Sequence, residues 1–123
     1  MIVRRRQTAS ERGAVTAELA LGLPLVLAVT VGLVWLLAVA SAQIRVVDSA
    51  REAARSIARG DDESSARSLA LRIAPEGALL DVALAGGQVV VTSRATVDGP
   101  DGLFDFMPGV TISSRAVAVM ERP

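Results

Sequence analysis

The apolar residues follow three different rhythms along the chain. From Leu19 to Ala42 the sequence LALGLPLVLAVTVGLVWLLAVASA holds 24 residues without a charge, apolar on every face of a helix. A helix of a soluble protein keeps a polar side unless a large protein surrounds it, and 123 residues cannot supply that surround. As a helix the run would be ~36 Å long, enough to cross a hydrocarbon core of ~30 Å. The pattern therefore predicts a membrane helix. Pro24 lies inside it, removes one backbone hydrogen bond and predicts a kink.

From Gln43 the rhythm changes. Val46, Val47, Ala50, Ala53, Ala54 and Ile57 recur at helical spacing and form one stripe. Arg45, Asp48, Arg51, Glu52, Arg55 and Arg59 fall on the opposite face, with 48/51, 52/55 and 48/52 as helix neighbours. One helix from about Thr16 to Arg59 is expected, its first half in lipid and its second half under a soluble domain, with Gly60 as C-cap.

After Gly60 the elements are short. Asp61-Asp62-Glu63 reads as a helix start, with acids near the positive end of the dipole. A helix over about 63–74 would turn Ala66, Leu69, Ala70 and Ile73 inward and end at Pro75. Leu79–Leu84 and Gln88–Val97 flank Gly86-Gly87, which is a hairpin signal. In the second of these runs Val89, Val91 and Val97 face one way and Thr92, Arg94 and Thr96 the other. A third strand is expected over about 110–120, with Arg115 outward. Phe104, Phe106 and Met107 form the bulky cluster outside the membrane helix. They are expected to pack on the sheet, with an exposed contact for a partner subunit as the alternative. The fold class is α+β: a long N-terminal transmembrane helix with an amphipathic soluble continuation, one short helix, and a three-stranded antiparallel sheet. The expected divisions are a basic leader over 1–13, the membrane helix over 14–42, its extramembrane continuation over 43–60, and a small extracytoplasmic domain over 61–123.

Composition narrows the chemistry. Without His or Cys there is no imidazole or thiolate to act as base, nucleophile or metal ligand, so no enzyme, no cofactor and no metal site is expected. The acids between Asp98 and Gly109 lack the spacing of a calcium loop. With two Phe, one Trp and no Tyr, base-stacking platforms are not expected, and the Arg residues after Gln43 alternate with acids as a solvated face does. Neither nucleic acid nor a small-molecule substrate is expected as a partner. The basic residues are all Arg. Arg4, Arg5, Arg6 and Arg12 precede the apolar run and four more lie in 43–60, so a plain count ties. The clustering at the N-terminus favours a cytoplasmic N-terminus and an extracytoplasmic C-terminal domain.

Three readings of the N-terminus follow. Ala40-Ser41-Ala42 before Gln43 fits a signal-peptidase site, which would release a small binding domain. A plain signal anchor is the second. The third rests on Glu18, one residue before the uncharged run, where a carboxylate at the membrane edge is costly unless neutralised. In Gly13-Ala14-Val15-Thr16-Ala17-Glu18, a cut after Gly13 would create an amine at Ala14, ~6 Å along the helix from that carboxylate. On its own chain or on a neighbour, this amine would neutralise Glu18.

A Gly five residues before a Glu, behind a basic leader and at the head of an apolar helix, resembles the type IV pilins and pseudopilins. The run Arg12-Gly13-Ala14-Val15-Thr16-Ala17-Glu18-Leu19-Ala20-Leu21 leads into Leu23-Pro24. The stretch Ala42-Gln43-Ile44-Arg45-Val46-Val47-Asp48-Ser49-Ala50-Arg51-Glu52-Ala53-Ala54-Arg55 follows the helix. Together they resemble the TadE-like family of tight-adherence (Tad) pilus assembly proteins, in the short form of high-GC Gram-positive bacteria. The resemblance implies a minor pilin or pseudopilin of the cell membrane, cut by a prepilin peptidase between Gly13 and Ala14. It implies Glu18 as the residue that guides docking among other pilin subunits and the Tad assembly platform. Leu19 stands where Tad pilins usually carry an aromatic, and Ala14 where mature pilins often begin with Phe.

Overall fold

A computed structural model describes the backbone of residues 2–100 and 108–121, and side chains from Ser10 onward within those limits. Its elements are α1 (Ile2–Ala58), α2 (Glu63–Ile73), β1 (Leu79–Ala85), β2 (Gln88–Val97) and β3 (Val110–Val119). The chain divides into two compact units, Met1–Val34 and Trp35–Pro123.

The first unit is helix alone. The helix begins at Ile2 and not near Thr16, because nothing between those positions stops it. Gly13 is the one weak helix former there, at a cost of about 1 kcal/mol, and no Pro precedes Pro24. The helix also continues through Pro24. Its leucines and valines from Val15 to Val34 are exposed, as befits side chains that meet lipid.

In the second unit α1 becomes amphipathic and its inward stripe is small. Ala42, Val46, Ser49, Ala50, Ala53, Ala54, Ser56, Ile57 and Ala58 are buried, while Val47 is only half-buried. The helix ends in a Schellman motif. Gly60, at φ +100°, donates from its N–H to the Ile57 carbonyl at 3.0 Å, and Asp61 donates to the Ser56 carbonyl at 3.1 Å. The expected C-cap is therefore present, with its geometry explaining the Gly.

Helix α2 starts as expected but not by the expected means. Asp62 is the N-cap residue and its carboxylate makes no capping bond to the helix backbone; it accepts instead from the Ser64 hydroxyl. Ala66 and Ala70 are buried, whereas Leu69, expected inward, is 40% exposed and Ile73 is half-buried. The small alanines sit closest to the core, and the larger side chains lie at the margin of that contact.

The sheet is a meander, β1-β2-β3, antiparallel throughout. Ala85 pairs with Gln88 across Gly86 and Gly87, both at positive φ, as the tight turn of a two-residue hairpin requires. On β2 Val89, Val91, Ser93 and Ala95 are buried on one face, and Arg94 and Thr96 are exposed on the other, as the alternation predicts. Arg115 of β3 is exposed. Two apolar clusters join the helix to the sheet. One holds Ala50, Ala53, Ala54 and Ile57 against Leu80, Val89 and Val91, with Ala66 and Ala70 of α2. The other holds Ala42 and Val46 against Ala95 and Ile112, with Val39, Val97 and Val110 at its margin. Phe104, Phe106 and Met107 lie outside the described residues.

Candidate functional site at the head of the apolar helix

Gly13, Ala14 and Glu18 lie on consecutive turns of α1, all exposed. The Thr16 hydroxyl donates to the Arg12 carbonyl at 2.9 Å, so a side-chain bond spans the Gly13–Ala14 peptide from below. A residue four positions on supplies this back-bond, which ties up a carbonyl of the helix ladder. A peptidase acting between Gly13 and Ala14 must open that turn, and the Gly weakens it. Among the described residues, no side chain or backbone atom outside the helix lies within 4 Å of where a Cβ would stand at Gly13, Gly22 or Gly32. Each of these positions leaves a shallow notch on the helix surface. Farther along, the Thr30 hydroxyl donates to the Val26 carbonyl at 2.8 Å, which satisfies a polar group inside an otherwise apolar run.

This region is long and apolar enough to cross a membrane. Its most apolar window has a mean hydropathy of 2.5 and none of it is buried, which fits a single-pass anchor.

The second unit carries a feature that hydropathy alone missed. The Trp35 indole Nε1–H donates to the Asp98 backbone carbonyl at 2.9 Å, and Val39 packs against the cluster of Ala42, Val46, Ala95 and Ile112. The uncharged run of the sequence continues to Ala42, but from Trp35 onward one face of the helix is engaged by the sheet and by Asp98, which follows β2. The signal for this was present in the sequence as a lone Trp, the residue enriched where apolar and wet surroundings meet.

Buried hydroxyls were also missed. Ser49 on α1 and Ser93 on β2 are fully buried, with their oxygens 2.9 Å apart, and the Ser49 hydroxyl lies 2.8 Å from the Val46 carbonyl. With one proton on each hydroxyl, both contacts are satisfied when Ser93 donates to Ser49 and Ser49 donates to Val46. The expected charge neighbours Asp48–Arg51 and Glu52–Arg55 form no ion pair. Among the described residues the ion pairs are Arg59 with Glu52 and with Asp61, Arg67 with Glu63, and Arg94 with Asp81.

The stretch that begins at Gly13, takes in Glu18 and the apolar run, and ends on the amphipathic half coincides with a known family. Residues 13–55 match the family described as TadE-like protein. This part of the chain is similar to that family. A protein of Mycobacterium tuberculosis (strain ATCC 25618 / H37Rv) named Apoptosis inhibitor Rv3655c is 43% identical over 81 residues, which is 66% of this chain and 58% of that relative. The chain therefore spans less than two thirds of the relative's length. No solved structure matches it. The TadE-like match and the one membrane-length helix among the described residues agree with the family and anchor expected from the residues.

Proposed function

We propose that this protein is a pilin-like structural or assembly component of a Tad-type pilus or a related secretion apparatus, acting as a minor pilin or pseudopilin and not as an enzyme. The observation that carries the reading is the TadE-like match, which starts at Gly13 and encloses Glu18 at the head of an exposed apolar helix. Its partners would be the membrane, other pilin and pseudopilin subunits, the Tad assembly platform, and the prepilin peptidase that cuts between Gly13 and Ala14.

The Trp35–Asp98 bond supports a specific placement in the bilayer. Hydrocarbon reaching Ala42 would submerge the Asp98 carbonyl and the polar residues beside it, so the span would end near Val34. The 21 residues from Ala14 to Val34 make ~31 Å of helix, a full crossing. Ala14 then sits at one surface, taken as cytoplasmic from the Arg cluster before it, and Glu18 lies ~6 Å inside the lipid. A carboxylate there costs ~2.5–3.5 kcal/mol on insertion scales unless it is neutralised, and a new amine at Ala14 of a neighbouring subunit would do so. Gly22, Ala28 and Gly32 leave room for neighbouring helices, and Pro24 loosens the ladder between Glu18 and the rest.

Cleavage at Ala42 as an ordinary signal peptide is disfavoured by the burial of Ala42 and the packing of Val39, which such a cut would remove from the folded unit. The intact mass of protein extracted from its native membrane tests the proposal. A mature chain beginning at Ala14 is expected; one beginning at Gln43 would overturn the reading. Glu18→Ala is expected to insert normally and to fail in assembly.

A further inference from the structure

The two edges of the sheet are treated differently. Met120 donates from its N–H to the Gly87 carbonyl at 2.9 Å, which fixes which residues of β3 face β2. In the register of β2 with β3, Ile112, Ser114, Ala116 and Ala118 share hydrogen-bonded pairs with β2. Thr111, Ser113, Arg115, Val117 and Val119 aim their backbone groups out of the sheet. The same alternation turns the Leu80 carbonyl outward from β1, and there it is occupied: Arg67 of α2 donates to it at 2.6 Å. Among the described residues nothing takes the corresponding groups of β3.

Beside that open edge runs a groove of 270 Å³ between β3 and α1, lined by Arg51, Ala54, Arg55 and Ala58 of the helix, by residues 116–119 of β3, and by Glu121, so its charges are two Arg against one acid. Both Arg are exposed, and neither forms an ion pair among the described residues. They stand one helical turn apart, ~6 Å, close to the ~6.6 Å between alternate residues of a strand.

We propose that the β3 edge accepts an extended acidic segment of a partner protein, which adds a fourth strand to the sheet. Its backbone pairs with Val117 and its neighbours, its acids at alternate positions meet Arg51 and Arg55, and the residues between them are apolar and lie beside Val117 and Val119. A second copy of this chain is a poor occupant, because the β3 strand it would present carries Arg115 and no acid to meet Arg51 and Arg55. The surface stands on the soluble unit alone and does not depend on the pilus reading.

The test uses the full chain in detergent micelles and a fluorescein-labelled peptide, acetyl-Thr-Val-Glu-Val-Glu-Val-Thr-amide, at low ionic strength. Saturable binding by fluorescence anisotropy is expected, about tenfold weaker in the Arg51→Ala/Arg55→Ala double variant and unchanged in Arg94→Ala. Val117→Pro deletes an outward N–H while sparing the ladder with β2, and is expected to abolish binding with the circular dichroism unchanged. Should that variant fail to fold, the same peptide N-methylated at alternate residues blocks pairing without touching the protein, and must not bind. Absence of saturable binding, equal binding of the Lys-for-Glu peptide, or full binding of the N-methylated peptide would overturn the proposal. So would a dimer in sedimentation that Val117→Pro dissolves.

Discussion

The two halves of α1 are both rich in apolar residues, yet one exposes its large side chains and the other buries small ones. Between Val15 and Val34 the large side chains point outward on all sides, with Leu21 78% exposed and Leu27 64%. Between Ala42 and Ala58 the inward stripe is mostly alanine and serine, and a large apolar residue such as Ile44 is left outside. A helix against lipid needs bulk and no particular fit, whereas a helix against a sheet needs close approach. Side-chain size, more than hydropathy, separates the part of the helix suited to lipid tails from the part that faces protein.

Ala50→Asp should break the second half most severely. Ala50 is fully buried between helix and sheet, so an unpaired carboxylate there is expected to cost about 3–5 kcal/mol and to abolish the protease-resistant soluble unit. Leu27→Asp is the matching change in the first half. It should cost ~2.5–3.5 kcal/mol in membrane insertion, read by glycosylation mapping, and leave the melting of the soluble unit unmoved. Gly60→Ala should destabilise the soluble unit by about 1–2 kcal/mol, because the Schellman turn holds that residue at positive φ. Ser93→Ala should cost about 1 kcal/mol, and the Ser49→Ala/Ser93→Ala double variant less than the sum of its parts, as denaturant titration would record. Arg94→Ala removes an exposed ion pair at 2.8 Å and should shift stability by less than ~1 kcal/mol.

Much of this architecture was legible in the order of residues. The period of Val46, Ala50, Ala53 and Ile57, the two glycines at 86 and 87, and the alternation along β2 each reflect a local rule that tertiary contacts did not override. The TadE-like segment was legible for the same reason: Gly13, Glu18 and the apolar run are a linear pattern. What escaped was set by distant partners. Ser49 reads as a polar interruption until Ser93 is opposite it, and Leu69 reads as inward until the alanines beside it take the contact. The bond between Trp35 and Asp98, far along the chain, has no local signature either.

That last contact gives the protein an optical handle. Trp35 is its single Trp and there is no Tyr, so its near-ultraviolet emission comes from one indole, and that indole's N–H is held by the Asp98 carbonyl. Any event that lifts the sheet from the helix frees the donor to water and shifts the emission, without a label and without a mutation. Quenchers confined to the lipid or to the aqueous phase would further report how deep that indole sits.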